Sequence, residues 1–480
     1  MSYTSYRSCS LNSLPLDCWW RSLPARLLRV LPGLFLLAHQ PLQAMAPPPP
    51  PPASLPASRP NIVLVVADDL GYGDLGCYGQ QQIRTPHLDR MAADGVRFSR
   101  FYAGAPVCAP SRAVLMTGRH TGHTAVDRNA SPNIPLAPVE LTFAQSLASA
   151  RYFTAFIGKW GLGGATPCRN FGGTITHRHL PPGGGDALLP SALHSLPTRK
   201  GFAHSLAILD QNYAHQHFPE FIWEGESLSN ITGNAGLPQS ERTVYAQDLF
   251  TARALELLAN ADAHRPVCIV LSYLIPHRQL VDPPGENPYR DQPWPPHEAA
   301  FAAMISKLDS DVGRILAAID AHPALASNTL VIVTSDNGPH NADGHSPHFF
   351  NSSGGLRGMK FSLYEGGIRV PCIMRWPGTI KPGSVCDVPC GFVDLAPTFR
   401  ELAGLPAAQP PSDGVSLLPL LSGATRLNRT TPLLWYSPPA NPSNSTVAAM
   451  LTNQWKFILH ADGTPALFCL LYTSPSPRDS

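Results

Sequence analysis

Residues 61–67 read Asn-Ile-Val-Leu-Val-Val-Ala, and two further runs, Val-Cys-Ile-Val-Leu-Ser at 267–272 and Thr-Leu-Val-Ile-Val-Thr at 329–334, share the same unbroken apolar, β-branched character. A strand with one wet face alternates apolar and polar residues. Runs without alternation suit strands covered on both faces, as in a parallel sheet between two helical layers. Each run ends on polar chemistry: Asp68-Asp69 after the first, Ile275-Pro276-His277 after the second, Ser335-Asp336-Asn337-Gly338 after the third. A fourth strand expected at 152–157 leads into Gly158-Lys159-Trp160. Open α/β sheets place ligand groups outside the carboxyl ends of their strands, so these residues are expected to meet at one sheet edge. Two adjacent carboxylates there need a cation or strong donors nearby. Asp68, Asp69, Asp336 and Asn337 make an all-oxygen set that suits a hard divalent ion, Ca2+ more than Mg2+, whereas zinc would draw histidine or thiolate.

The helices that cover such a sheet are also legible. Phe301, Met304, Ile305, Leu308, Val312, Ile315, Leu316 and Ile319 recur at three- and four-residue intervals and define one apolar face of a long helix. Helices are also expected at 245–259 and 142–150, and a further one opens at Thr85-Pro86, with threonine as N-cap, proline at N1 and Gly95 as its stop. A strand is expected at 96–102. With 480 residues and 44% hydrophobic content, the chain is long enough for one large α/β domain and a smaller partner. The catalytic domain is placed at 61–405. Short strands at 433–436, 447–451 and 455–459 predict a small antiparallel α+β subdomain over 406–472. The polar tail 473–480 cannot close a sheet, so that subdomain is expected to end short.

Arg21, Arg26 and Arg29 precede the apolar run 30–38, and small residues follow at Ala44 and Ala46. Residues 1–46 therefore read as a secretory signal, directing the chain to a secreted, lysosomal or periplasm-like compartment. The run falls short of the roughly 20 residues that span a bilayer, and Pro32-Gly33 interrupts it, so no stable membrane span is expected. Six consecutive prolines at 47–52 make 47–60 a semi-rigid spacer. Sequons at Asn129, Asn230, Asn351, Asn428 and Asn444 are compatible with a glycoprotein. A net charge of +2 supplies no basic field for nucleic acid. Ten cysteines are too sparse for a disulfide scaffold, and Cys386 and Cys390 can pair only if the backbone turns between them.

One cysteine stands apart. In Cys108-Ala-Pro110-Ser111-Arg112-Ala-Val-Leu-Met-Thr117-Gly118, proline is expected at the first helical position, which puts Cys108 beside a helix N-terminus. Unpaired N–H groups and the helix dipole attract an anion there, and Arg112 adds a fixed positive fork. Cys-x-Pro-Ser-Arg followed by Thr-Gly resembles the signature of the type I sulfatases, in the alkaline phosphatase superfamily. The segment 151–161 is similar to a second sulfatase signature, Gly-Tyr-x-Thr-x-x-Ile-Gly-Lys-Trp-His, with Arg151 in place of the glycine and Gly161 in place of the histidine. Residues 356–360, 364–371, 376–378 and 392–399 continue the likeness, which spans 61–459.

The resemblance implies an alkaline-phosphatase-like fold, with a large mixed, mostly parallel sheet sandwiched by helices. It implies hydrolysis of aryl or carbohydrate sulfate esters, with Cys108 converted to formylglycine by a formylglycine-generating enzyme. Its hydrate would attack sulfur while the cation, Arg112, Lys159, His277 and Lys360 hold the sulfate oxygens. Asp336 would ligate the metal and help deprotonate the attacking hydroxyl, and His277 or Lys360 would protonate the leaving alcohol. Metal ligands carried over are Asp68, Asp69, Cys108, Asp336 and Asn337. The family histidine missing at Gly161 contacts the formylglycine hydroxyls. The stretch Asp210–Trp223 mixes aromatics with His215 and His217, and His215 is the candidate replacement. The loop 163–200 holds His177, His179 and His194, with His204 beyond it, at no regular ligand spacing. A phosphomonoester or phosphonate hydrolase of the same superfamily, or a non-catalytic binder of sulfated glycans, remain the alternatives.

Overall fold

The computed structural model describes residues 59–130, 133–163, 168–169, 175–176, 193–285, 287–408, 411–438, 446–452 and 454–470. The leader, most of the proline spacer, the 473–480 tail, His177, His179 and Asn444 lie outside the described residues.

The unbroken apolar runs form the centre of the large sheet. β1 (Asn61–Ala67) has Ile62, Leu64 and Val66 in one hydrophobic core and Val63, Val65 and Ala67 in the other, so neither face is wet. One face is covered by α1 (Pro86–Ala93) together with α4 (Ala246–Ala259) and the 26-residue α5 (Pro296–Ala321). The opposite face is covered by α2 (Cys108–Thr117), α3 (Phe143–Ser149) and α6 (Phe392–Leu402). At about 25 cal/mol per Å² of apolar surface removed from water, covering both faces is what favours these runs as central strands.

Strand order across the sheet is β10-β2-β9-β8-β1-β7-β3-β4-β5-β6, where β2 is Val96–Tyr102, β3 Phe153–Lys159, β4 His204–Ile208, β5 Phe221–Glu224, β6 Ser227–Asn230, β7 Val267–Ser272, β8 Thr329–Ser335, β9 Arg369–Arg375 and β10 Ser384–Cys386. The five strands β8, β1, β7, β3 and β4 run parallel in succession. β9 is antiparallel to both β8 and β2, and β5 and β6 are antiparallel additions at the far edge. A separate four-stranded antiparallel sheet holds β11 (Leu433–Tyr436), β12 (Thr446–Leu451), β13 (Trp455–His460) and β14 (Pro465–Cys469). Its fourth strand was not expected from the pattern.

Several local expectations shift. Pro110 is the third residue of α2, because the helix starts at Cys108 after an extended Val107. Proline is still harmless there, since first-turn N–H groups have no intrahelical acceptor. Thr85 precedes the helix that begins with Pro86, but its hydroxyl accepts from the Gly76 N–H and bonds Asp89 rather than capping, and the helix ends at Ala93 with Asp94, not Gly95, as its C-cap. Arg151 takes φ +66°, the left-handed turn that explains glycine in the related signature. A non-glycine residue costs about 1 kcal/mol there. Cys77, Cys108, Cys268, Cys372, Cys386, Cys390 and Cys469 are free. Cys386 lies beside Phe98 and Cys390 beside Phe101. At ~3.3 Å per residue along β2 this spacing is about 10 Å, beyond disulfide reach. No described helix is long and apolar enough to cross a membrane.

Candidate active site

The strand order brings the polar strand ends together. β1, between β8 and β7 in the parallel set, leads into Asp68-Asp69; those neighbours deliver Asp336-Asn337 and His277, and Lys159 closes β3. Asp69 takes φ +67°, a conformation that costs a non-glycine residue energy and is tolerated where the surroundings fix it. Its N–H donates to Asp336 Oδ1 at 3.2 Å.

Cys108, at the start of α2, faces this edge. Its Sγ lies 3.6 Å from Asp68 Oδ1, and one ligand atom from each of Asp68, Asp69, Cys108 and His277 lies within 4.8 Å of the others. Three cations neutralise the carboxylates, and a histidine stands beside them. Lys159 Nζ donates to Asp68 Oδ2 at 2.6 Å, and Lys360 Nζ to Asp69 Oδ2 at 2.7 Å. Arg112 grips Asp336 Oδ2 through Nε at 3.0 Å and through a terminal nitrogen at 2.7 Å, and also donates to Ser272 Oγ. His277 Nε2 stands 3.5 Å from Asp69 Oδ2. All are buried.

The electrostatics follow from that crowding. Burial opposes ionisation of Asp68, yet Lys159, Arg112 and Lys360 hold it down to about 2. Burial and the Asp68 charge push Asp336 up to about 6, against Arg112 and Lys159. Burial also pushes the Cys108 thiol up to about 12 despite the two lysines. An unmodified Cys108 is therefore a neutral thiol and a poor nucleophile. Burial, then Lys360 and Lys159, hold His277 well below its ordinary value, so its imidazole is neutral.

Asn337 tests the metal expectation. Its amide nitrogen donates to Asp69 Oδ1 at 2.6 Å, while its Oδ1 is buried without a hydrogen-bond partner. A buried carbonyl oxygen without a donor, on a side chain that touches Asp69, is a candidate cation ligand, and Asp68, Asp69 and Asn337 carry the oxygen donors a hard ion takes.

His215 half-faces the same cleft, its ring stacked on that of His277 with centroids 4.8 Å apart. Burial, Lys159 and Arg278 hold it down to about 3. His217 instead turns inward and bonds the His277 carbonyl at 3.2 Å. His194 and His204 bond the Leu136 carbonyl and Arg253 respectively, in separate places.

Gly161 takes φ +68°, and a Cβ there would lie 2.1 Å from Gln211 Nε2. The Gln211 carboxamide thus fills the space that a side chain at 161 would enter. Sequence reasoning missed Gln211, along with Asn129, whose Oδ1 accepts from the Ala109 N–H at 2.9 Å and fixes the first turn of α2. Asn129 also lines the cleft, so a glycan on this sequon would stand in the pocket. Asn230, Asn351 and Asn428 are exposed.

The family model described as Sulfatase matches residues 60–405, and the one described as N-sulphoglucosamine sulphohydrolase, C-terminal, matches 359–470. The chain belongs to the sulfatase family. Its named relatives are sulfuric ester hydrolases: steryl-sulfatase of Mus musculus is 34% identical over 431 residues, covering 77% of this chain and 66% of the relative. Arylsulfatase A of Homo sapiens is 32% identical over 433 residues, covering 85% and 76%. Among solved structures, Ps i-CgsB superposes with a TM-score of 0.69 at 25% identity over 86% of each chain. This sulfatase chain thus spans 66% and 76% of the length of those two curated relatives.

Proposed function

We propose that the chain hydrolyses sulfate monoesters, using a formylglycine made from Cys108 and a divalent cation, with Ca2+ preferred. The observation that carries this reading is the buried meeting of Cys108 with Asp68, Asp69 and His277 at a sheet edge ringed by Arg112, Lys159 and Lys360. The residues fit a hard cation held by Asp68, Asp69, Asp336 and Asn337, beside Cys108. That ion would supply positive charge to the sulfate oxygens. The aldehyde hydrate would supply a nucleophile with a second hydroxyl, whose loss of a proton expels sulfate in the second step. A thiol lacks that hydroxyl.

The chain's own residues do the rest. Arg112, Lys159 and Lys360 are fixed by carboxylates before substrate arrives, so their charge reorganises little during reaction, which is the condition for strong electrostatic stabilisation. Asp336 helps take the proton from the attacking hydroxyl; of the two candidate acids, His277 and Lys360, the imidazole is neutral, so the Lys360 ammonium gives the proton to the leaving alcohol. Conversion calls for a formylglycine-generating enzyme as partner and a secretory or periplasm-like compartment for folding.

The test is a mass measurement paired with an assay. Protein made with a converting enzyme should show a deficit of about 18 Da on the Cys108 peptide, sulfur replaced by oxygen with loss of two hydrogens, and should cleave aryl sulfate in preference to aryl phosphate. Turnover by protein that carries only the thiol would overturn the mechanism, and preference for phosphate would overturn the substrate.

His215 carries a further expectation. Stacked on His277 and facing the cleft, it is proposed to serve the formylglycine hydroxyls in place of the residue absent at 161. His215→Ala should slow release of the covalent sulfate by about 10²-fold or more, as general acid–base groups contribute. Accumulated sulfated protein seen by intact mass is the expected sign, and unchanged turnover removes His215 from the site.

A further inference from the structure

We propose that His120, His123 and Asp413 form a second metal site, for a borderline divalent transition ion such as Zn2+, which clamps the end of the Cys108 helix to the loop that follows α6. Among the described residues, two groups of histidine, cysteine and acid side chains converge tightly enough to hold an ion: the sheet-edge cluster at Asp68, and this one. No step of the ester hydrolysis uses the second group. It stands at the far end of α2 from Cys108, about 15 Å away along a ten-residue helix at roughly 1.5 Å per residue. The site is therefore independent of whether Cys108 is converted.

A turn builds it. α2 stops at Gly118, which takes φ +67°, and His120-Thr121-Gly122-His123 then folds back so that the His123 N–H donates to the His120 carbonyl at 2.8 Å. The two imidazoles stack, with centroids 4.0 Å apart and planes 28° from parallel. Asp413 arrives from the other segment. Its N–H donates to the Gly118 carbonyl at 3.1 Å, and its carboxylate accepts from the His120 N–H at 2.9 Å. Ser412 Oγ adds a bond to the Gly118 carbonyl at 2.8 Å. Backbone contacts thus hold the carboxylate in place against the turn before any ion arrives.

One nitrogen of each ring faces that carboxylate. His123 Nδ1 is 2.9 Å from both Asp413 oxygens, His120 Nε2 is 3.8 Å from Oδ2, and the three ligand atoms lie within 4.8 Å of one another. A tetrahedral ion with its ligands at roughly 2.0–2.1 Å sets them about 3.3 Å apart, between the two observed separations. The side chains of His120, His123 and Asp413 are 17%, 36% and 22% exposed, which leaves a solvent-side position for water as fourth ligand. The donor set also separates this site from the sheet edge. Calcium and magnesium take oxygen ligands, whereas imidazole suits zinc, copper and nickel.

A metal-free histidine–aspartate latch accounts for His123 alone. It gives no reason for His120 to stack on that ring with Nε2 turned to the same carboxylate at a distance too long for a hydrogen bond. The proton balance is simple. The Gly122 N–H donates to His120 Nδ1 at 3.1 Å, which puts the proton of that neutral ring on Nε2. The ion displaces it to Nδ1, and Gly122, which is exposed, turns its N–H to water. His123 Nδ1 gives up its proton in the same way, to its other nitrogen or to solvent. One exposed hydrogen bond and the His123–Asp413 contact are exchanged for three metal–ligand bonds. Bound there, the ion ties α2 to the loop whose Val415 N–H donates to Asp394 Oδ1 at 2.9 Å, in the first turn of α6, so it should stabilise the seat of the Cys108 helix.

The experiment titrates Zn2+ into the full chain by calorimetry in saturating Ca2+, and follows Tm with and without Zn2+. Wild type should bind one equivalent that His123→Ala loses, its affinity falling at least about 100-fold, the upper end of what loss of an outer-shell partner alone costs. His120→Gln, which keeps a polar side chain at the less exposed position, should lose the same equivalent. Zn2+ should raise the Tm of wild type more than that of either variant. Zinc held by other histidines or cysteines is common to all three proteins and cancels in the comparison. Equal stoichiometry and affinity in wild type and both variants, no bound equivalent in wild type, or displacement of the ion by excess Ca2+ overturns the site. Neither readout involves ester hydrolysis, so a failure here is distinct from a failure of the sulfatase mechanism.

Discussion

Lys159→Ala should abolish aryl sulfate turnover, with kcat/KM falling by at least about 10³-fold, the scale seen when a preorganised donor is removed from a developing oxyanion. Lys159 is fully buried at the end of β3, and its ammonium meets Asp68 Oδ2 at 2.6 Å. Its removal acts twice. A positive charge proposed to hold the sulfate is lost, and Asp68 is left with Arg112 as its nearest remaining cation, at 3.7 Å. Breaking one side of a buried pair costs about 3–5 kcal/mol, so unfolding in denaturant should also shift. Added Ca2+ separates the effects: a cation on Asp68 and Asp69 should restore much of the stability and little of the activity. Full stability without Ca2+ together with near-normal turnover would remove Lys159 from the site.

The same residue shows what was legible in the sequence. Lys159 follows a run of strand-forming residues, and strand-then-polar punctuation is a local signal. Asp68, Asp69, His277, Asp336 and Asn337 share it, and the parallel register of β8, β1, β7 and β3 carries them to one edge. Cys108 and Arg112 were legible because a helix start has its own residue code. The antiparallel insertion of β9 between β8 and β2 was not, because Arg369–Arg375 follows a motif with no periodic signal and strand order depends on crossovers. Gln211 escaped for a related reason: its carboxamide answers the missing side chain of Gly161 fifty positions away, and nothing local records that pairing. Asn129 reads only as a sequon in the sequence, because three residues do not record that its oxygen accepts from the Ala109 N–H.

Lys456→Met should destabilise the whole catalytic unit by about 3–5 kcal/mol, although it lies in the small sheet. Lys456 is 1% exposed and its Nζ meets Glu365 Oε1 at 2.7 Å. The Tyr102 hydroxyl donates to Glu365 Oε2 at 2.9 Å, and Arg369 stands 3.5 Å from the same oxygen. The Trp435 indole N–H donates to the Ala103 carbonyl at 2.8 Å, and the Tyr436 N–H to Thr121 Oγ1 at 2.7 Å. These contacts grip the chain on both sides of α2 and just after Lys360, so the seating of the small sheet fixes both the Cys108 helix and the Lys360 loop. Burial opposes ionisation of Glu365, but Lys456 and Arg369 hold its carboxyl below the ordinary value of 4.5. A depressed carboxyl contributes stability that is present above 4.5 and lost as pH falls through the lower folded value. With Lys456 gone, burial is less well opposed, the folded value rises, and acid unfolding should begin at higher pH. Glu365→Gln in the same chain removes the stranded charge and should recover part of the loss, because two neighbours in one network do not add. Equal acid midpoints for wild type and Lys456→Met, or a double variant as unstable as the sum of the singles, would show that the buried pair does not seat the sheet.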